Sequence, residues 1–282
     1  LVANQGSWTD PLNPDFGSSR SPAVRQFTDY LTLVRGRHTF KGGFELRLTT
    51  QPSSSRAGMY PNVSFTTSGN APPSSISNLI DRDYRQRFAN LYNDLLGRMS
   101  AVTQTFYSDL EKFQPAGTPR MREYRIREYG YFFQDDWKVH PRLVLNLGLR
   151  YEFYGVPREV SGLQGTVDKA ALISHASRIG DFTIQRTSRW YNNDFNNFAP
   201  RIGLAWDFTG DGKTALRVNG GIFYDRTIGA TTGQADSQTP GFAQNVTVYP
   251  NQLGSDVRVS DGIPPLTPPG TVLLRLPAER ST

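Results

Sequence analysis

The residues best suited to metal chemistry are His38, His140 and His175, and they lie far apart in the chain, two of them in turn-like stretches. A zinc site wants a tighter cluster than this. The chain has no cysteine, which excludes disulfides and thiolate ligands as well. Gly212-Lys213-Thr214 echoes the end of a phosphate-binding loop. The glycine required five positions earlier is Asp207, however, and the flanking pattern runs from strand to strand rather than strand to helix. Asp135 and Asp136 are adjacent, so in an extended chain they point to opposite faces and make no carboxylate pair. Asp207, Asp211 and Asp225 lack EF-hand spacing, and no Gly-x-Ser-x-Gly elbow occurs. Neither an enzyme nor a cofactor site is expected.

The charged residues that recur in a pattern are Lys41, Glu45 and Arg47, then Arg150 and Glu152, then Arg201 and Asp207, then Arg217. Each stands on the parity opposite a row of apolar residues. Side chains in a strand alternate faces with period two, so these charges share polar faces while Phe and Leu occupy the others. A polar face of this kind lines a wet lumen, steering a solute or gripping a partner domain through salt bridges.

Three hairpins present these faces. In residues 25–50, Phe27, Leu31 and Leu33 alternate with Gln26, Thr28 and Thr32. After the Arg35-Gly36-Arg37-His38 turn, Phe40, Phe44, Leu46 and Leu48 alternate with Lys41, Glu45, Arg47 and Thr49. In residues 121–154 a His140-Pro141-Arg142 corner leads into Leu143, Leu145, Leu147, Leu149, Tyr151 and Phe153 on one parity. Val144, Asn146, Gly148, Arg150, Glu152 and Tyr154 take the other. In the arm before that corner, Tyr129, Tyr131 and Phe133 compete with Phe132 for the outward face. In residues 198–225, Phe198, Pro200, Ile202, Leu204, Trp206 and Phe208 share a face, and a turn over Thr209–Lys213 leads to a second alternating arm.

Between the hairpins lie long irregular stretches rich in Gly, Pro, Ser and Asn, at 51–100, 155–197 and 226–282. Within the first of them the period changes. Tyr84, Phe88, Leu91, Tyr92 and Leu95 form a helical stripe in Asp81–Leu96, with Gly97 as its stop. Ala101–Ser108 reads as a strand. Short turns alternating with long connections match the two rims of an outer-membrane barrel, turns inside the periplasm and loops outside the cell. With the turns at Gly36, Pro141 and Asp211 on one rim, the number of crossings between Thr50 and Met121 is even, either zero or two. Trp137, Trp206 and Phe208 then flank the turn rim, and Tyr151, Phe153 and Tyr224 the far rim, as membrane-interface aromatics.

Composition fits this reading. The 282 residues include 26 Gly, 19 Pro and 12% aromatics, which favour strands and turns. No apolar run approaches ~18 residues, so no transmembrane helix is expected, whereas barrel strands need only about 9–11 residues, half of them polar. The formal charge of +6 is dispersed among acids without a basic run, which argues against nucleic acid as a partner. The chain starts at Leu1 with no signal-peptide pattern, as expected of a processed chain or a fragment.

Phe133-Gln-Asp-Asp-Trp-Lys-Val139 with Pro141-Arg-Leu-Val-Leu-Asn-Leu-Gly-Leu-Arg-Tyr-Glu152 resembles the barrel hairpin of TonB-dependent receptors, in particular the Oar-like group of acidobacteria with its carboxypeptidase-regulatory-like domain. Asn197-Phe-Ala-Pro-Arg-Ile-Gly-Leu-Ala-Trp206, Gly210-Asp-Gly-Lys213 and Gly220-Gly-Ile-Phe-Tyr-Asp-Arg226 look like its next hairpin. Arg35–Lys41 and Leu95–Arg98 are similar to upstream segments. The resemblance implies an all-β antiparallel transmembrane barrel, residues 1–282 being part of about 22 strands, with long extracellular loops and one short helix. It also implies a cell outer membrane location, contact with outer-membrane lipid, a plug domain, the TonB complex, and a scarce solute such as a siderophore, carbohydrate or peptide. No plug, TonB box or closing strand is recognised in the chain. A structural or adhesive barrel without transport and a soluble all-β binding module are the alternatives.

Overall fold

Alternating Leu and polar residues with β-branched and aromatic neighbours favour extended chain, and here they form one large antiparallel sheet. The computed structural model describes residues 2–3, 18–67, 69–168, 183–226, 229–237, 239–249 and 256–272. In chain order its strands are β1 (Val2–Ala3), β2 (Ser19–Arg20), β3 (Ala23–Arg35), β4 (His38–Ser55), β5 (Asn62–Ser64), β6 (Ala101–Tyr107) and β7 (Arg120–His140). There follow β8 (Leu143–Tyr154), β9 (Arg158–Glu159), β10 (Gly165–Val167), β11 (Ile184–Arg186), β12 (Phe198–Trp206), β13 (Leu216–Gly221) and β14 (Ala243–Val248). Helices are α1 (Ser74–Ser77), α2 (Arg85–Leu96) and α3 (Gly229–Ser237).

The wall is the series β3-β4-β7-β8-β12-β13, each strand antiparallel to the next. Its three short turns all fall on one rim. Because β4 pairs with β7 from His38↔Trp137 to Ser55↔Arg120, the chain between them makes no crossing. The open choice between zero and two crossings therefore resolves to zero. Ala101–Tyr107 belongs to a separate sheet, β1-β5-β6-β14, on the far rim. Among the described residues β3 and β13 carry strand partners on one side only. In a membrane such edges require further pairing, since hydrocarbon offers no hydrogen bonds.

The burial pattern separates this wall from a soluble sandwich. Leu31 is 74% exposed, Ile202 61% and Leu147 40%, so the oily parity is not sealed beneath a second layer. The buried clusters lie elsewhere, in a roof built on the far rim. One comprises Val63, Phe65, Met99, Val102, Phe106 and Leu266, and a smaller one Leu110, Ile184 and Phe242. A large contiguous apolar face left uncovered on a sheet this size is what lipid contact selects.

Several expectations change. The sheet runs past Thr50 through Pro-Ser-Ser-Ser to Ser55, because the longer β7 provides a partner throughout and the Pro52 carbonyl accepts from the Ser21 N–H at 3.2 Å. The 155–197 loop contains β9, β10 and β11, and three α-helices occur among the described residues instead of one. Helix α2 forms where the stripe placed it and stops at Gly97 with φ 64°, but its buried residues are Ala89 and Asn93. Asn93 Nδ2 donates to the carbonyls of Thr66 (3.3 Å) and Asn70 (3.1 Å), so polar anchoring orients the helix while Tyr84, Leu91 and Leu95 stay exposed. His175 lies outside the described residues.

Candidate functional site

The polar parity forms a connected ionic surface along the wall. Lys41 Nζ donates to Asp136 at 2.7 Å. Arg150 bridges two acids, donating to Glu152 at 2.7 Å and to Glu45 at 3.5 Å. Glu128 receives Arg47 at 3.6 Å and Arg226 at 3.4 Å. Four cations thus meet four anions. Glu128 is buried and the other groups are partly wet, so each pair that does not involve Glu128 contributes about 0–1 kcal/mol, and the network positions charge more than it stabilises. A cleft lined in part by Gln134, Asn146, Gly148, Arg201 and Phe223 opens on this same side.

Glycine makes the close packing here possible. Arg150 lies across Gly130, which stands opposite both Glu45 and Glu152; a Cβ at Gly130 would meet the Arg150 guanidinium at 3.2 Å. Tyr30 and Phe132 likewise lean over Gly43, their ring centroids 5.7 Å apart. This answers the register question. Tyr131 and Phe133 face outward and exposed, and Phe132 faces the polar side.

Of the residues expected to line the lumen, Lys41, Glu45, Arg47, Arg150 and Glu152 come together in these pairs. Arg201 stands apart and covers the Phe223 ring at 4.9 Å. Arg217 is exposed, opposite Ala205. Asp207 is a correction. It lies past the end of β12, and its carboxylate accepts the N–H groups of Gly210 (2.8 Å) and Gly212 (3.0 Å). It closes the turn instead of lining the wall. Glu128 and Arg226 were not singled out from sequence, and Asp136 was weighed only as half of a carboxylate pair, although Glu128 and Asp136 share the parity of Phe132 and were findable once that register was fixed.

The aromatics divide by environment. Trp206 and Phe208 pack edge-on at 6.0 Å and are exposed at the turn rim, Phe208 lying just beyond its strand. Trp137 stacks on His38 at 5.4 Å, and His38 pairs with Asp135 at 2.7 Å on that rim. Tyr151 meets Phe198 at 5.0 Å, and Tyr224 lies exposed past the end of β13. Phe153 is the second correction. It is 7% exposed, stacked on Tyr129 at 4.6 Å and covered by Phe195 at 5.1 Å, so a protein loop seals it from lipid.

The roof has its own electrostatics. Asp256 accepts from Arg258 at 2.7 Å and from Arg98 at 2.6 Å, and these bonds hold its carboxyl below the usual carboxylate range. In α2 both carboxylate oxygens of Asp94 are buried without a hydrogen-bond partner, and burial raises its pKa. Among the described residues no cluster of His, Cys, Asp and Glu could hold a metal ion.

Comparison with curated proteins and with solved structures gave no match. A family model described as an outer membrane beta barrel domain matches residues 4–281. Since that match runs through the wall strands and the roof alike, the chain belongs to the outer membrane β-barrel domain family, and its place is the outer membrane.

Proposed function

We propose that the chain is the barrel part of a TonB-dependent, Oar-like receptor that takes up a scarce solute without catalysis. The observation that carries this reading is the ionic face of Lys41–Asp136, Glu45–Arg150–Glu152 and Arg47–Glu128–Arg226 leading from the turn rim to a roofed mouth. A wide barrel with such a wall can hold a plug domain by exchangeable ion pairs, each too weak to resist a pull from the energised inner membrane. The hairpin motifs around Trp137 and Trp206 add the family resemblance. The cargo is of the siderophore, carbohydrate or peptide kind.

Uptake by cells with and without the gene tests this. Loss of high-affinity accumulation of one solute on deletion, and equal loss when a protonophore collapses the inner-membrane gradient, is the expected result. Accumulation indifferent to both would leave a barrel that moves nothing by energised transport. A structural or adhesive role is the second reading, favoured by the exposed Leu79, Tyr84, Leu91 and Leu95 on the roof.

A further inference from the structure

The polar parity of the wall continues above the ionic network to the far rim, where its chemistry changes. From Arg47 to Ser53 is six residues, about 20 Å of strand. At that height Gln51 pairs with Tyr124, Ser53 with Arg122 and Ser55 with Arg120, and the Arg20–Ser53 pair adds a third arginine. Helix α3 folds across this end and brings Asp236, 2% exposed, onto Arg120 and onto Arg122 Nε at 3.2 Å. Arg122 also stacks on Phe242 at 4.7 Å and donates to the Met121 carbonyl at 2.8 Å. Glu159 is close, but it is turned to the N–H groups of Glu123 (3.2 Å) and Leu163 (2.7 Å).

Arg120 and Arg122 therefore share one carboxylate, and Arg20 stands opposite Ser53 as a third cation at this end. Three polar atoms of this cluster are buried with no hydrogen-bond partner among the described residues: Arg120 Nε, Arg122 Nη2 and Tyr124 Oη. Orphaned buried donors are rare, and concentrating them in one place is costly unless something accepts from them. Beside them opens a cleft of about 520 Å³ lined by Arg20, Arg120, Tyr124, Ser53 and Ser55, with Asp236, already paired with Arg120 and Arg122, also on its wall. Arg20 forms no ion pair among the described residues, and its guanidinium lies against Gly233, where a Cβ would collide with it.

We propose that this cleft binds an oxyanion, a phosphate or carboxylate group carried by a soluble solute, with Arg20 and Arg120 as its charge partners and Tyr124 and Ser53 as hydroxyl donors. The site faces the lumen, which favours a solute entering the barrel over a lipid headgroup outside it. As a statement about cargo the inference rests on the uptake reading. As a statement about binding it does not, so phosphate bound by a protein that accumulates no solute would remove transport and leave the site.

Titration calorimetry of the full-length protein in neutral detergent, with inorganic phosphate at constant ionic strength against chloride, tests it. Saturable binding is expected, weakened about tenfold or more by Arg20→Gln, which removes one charge-assisted contact. Tyr124→Phe, which deletes only a hydroxyl, is expected to weaken binding with thermal unfolding in chloride unchanged. Arg37→Gln, at the opposite rim, is expected to bind as the parent does. Absence of saturable binding, or equal binding by Arg20→Gln, overturns the proposal. So does binding that appears only with phosphatidylglycerol vesicles, since the partner would then be a lipid headgroup.

Discussion

Replacing Ile202 by arginine tests the surface on which the barrel reading stands. Trp206 marks the turn rim, and Ile202 stands four residues higher on β12, opposite Leu147 on β8 and Gly220 on β13. At ~3.3 Å per residue and a strand tilt near 40°, that is about 10 Å of height within an apolar band about 25 Å tall, close to its middle. A cationic side chain at that depth costs ~2–4 kcal/mol, whereas near the interface it costs ~0–1. Leu216, opposite Trp206, is the matched rim position. In a water-facing sheet, a residue as exposed as Ile202 would tolerate arginine to within about 0.5 kcal/mol. Urea unfolding from lipid vesicles, followed by tryptophan fluorescence, measures the difference. The expected result is a loss of ~2–4 kcal/mol for Ile202→Arg and at most ~1 for Leu216→Arg. Equal losses, or one below about 0.5 kcal/mol at Ile202, would refute the argument that hydrocarbon touches this face.

Gly43→Ala should destabilise the junction of β3, β4 and β7 by ~1–3 kcal/mol. The new Cβ would sit 2.5 Å from the Asp29 carbonyl oxygen and 2.8 Å from the Phe132 ring. The folded fraction on unheated gels reports this, with Gly220→Ala, which meets nothing within 4 Å, as an unchanged control. Asp94→Asn should stabilise the roof at neutral pH by about 1 kcal/mol by removing a charge whose buried oxygens have no partner. Because burial raises the Asp94 pKa, the folded state prefers the neutral acid, and the advantage of the variant in thermal unfolding should shrink as pH falls. Asp256 has the opposite sign: Arg258 and Arg98 depress its pKa, so its contribution is present above the unfolded value of about 3.9 and lost as pH falls through the folded one. Protection of the Met99 and Val259 amides, measured against their intrinsic exchange rates, should therefore fall below about pH 4 in the parent, and Asp256→Asn should abolish that acid dependence.

Period-two alternation is a local property, so the sequence alone determined the three hairpins, their oily and charged faces, and the single rim of short turns. Leu143–Tyr154 was legible to the residue because nothing but its own side chains decides which face each one takes. The helical stripe of Asp81–Leu96 and its stop at Gly97 were legible for the same reason, although the α-helix itself begins only at Arg85, after a 3-10 turn at Arg82–Tyr84. Which surfaces meet across long stretches of chain was not. Only the tertiary structure set β4 beside β7 and so reduced the crossings between them to none. It also turned Asn93 inward through bonds to Thr66 and Asn70, and laid Phe195 over Phe153. Asp207 was misread because a carboxylate of the right parity also suits capping a turn, and the backbone N–H groups of Gly210 and Gly212 decide between the two. The arginines of the mouth gained their meaning only when Asp236, more than a hundred residues later, folded onto them. Alternation fixes the direction of a side chain, but its partner is fixed by contacts between distant residues, which no local period encodes.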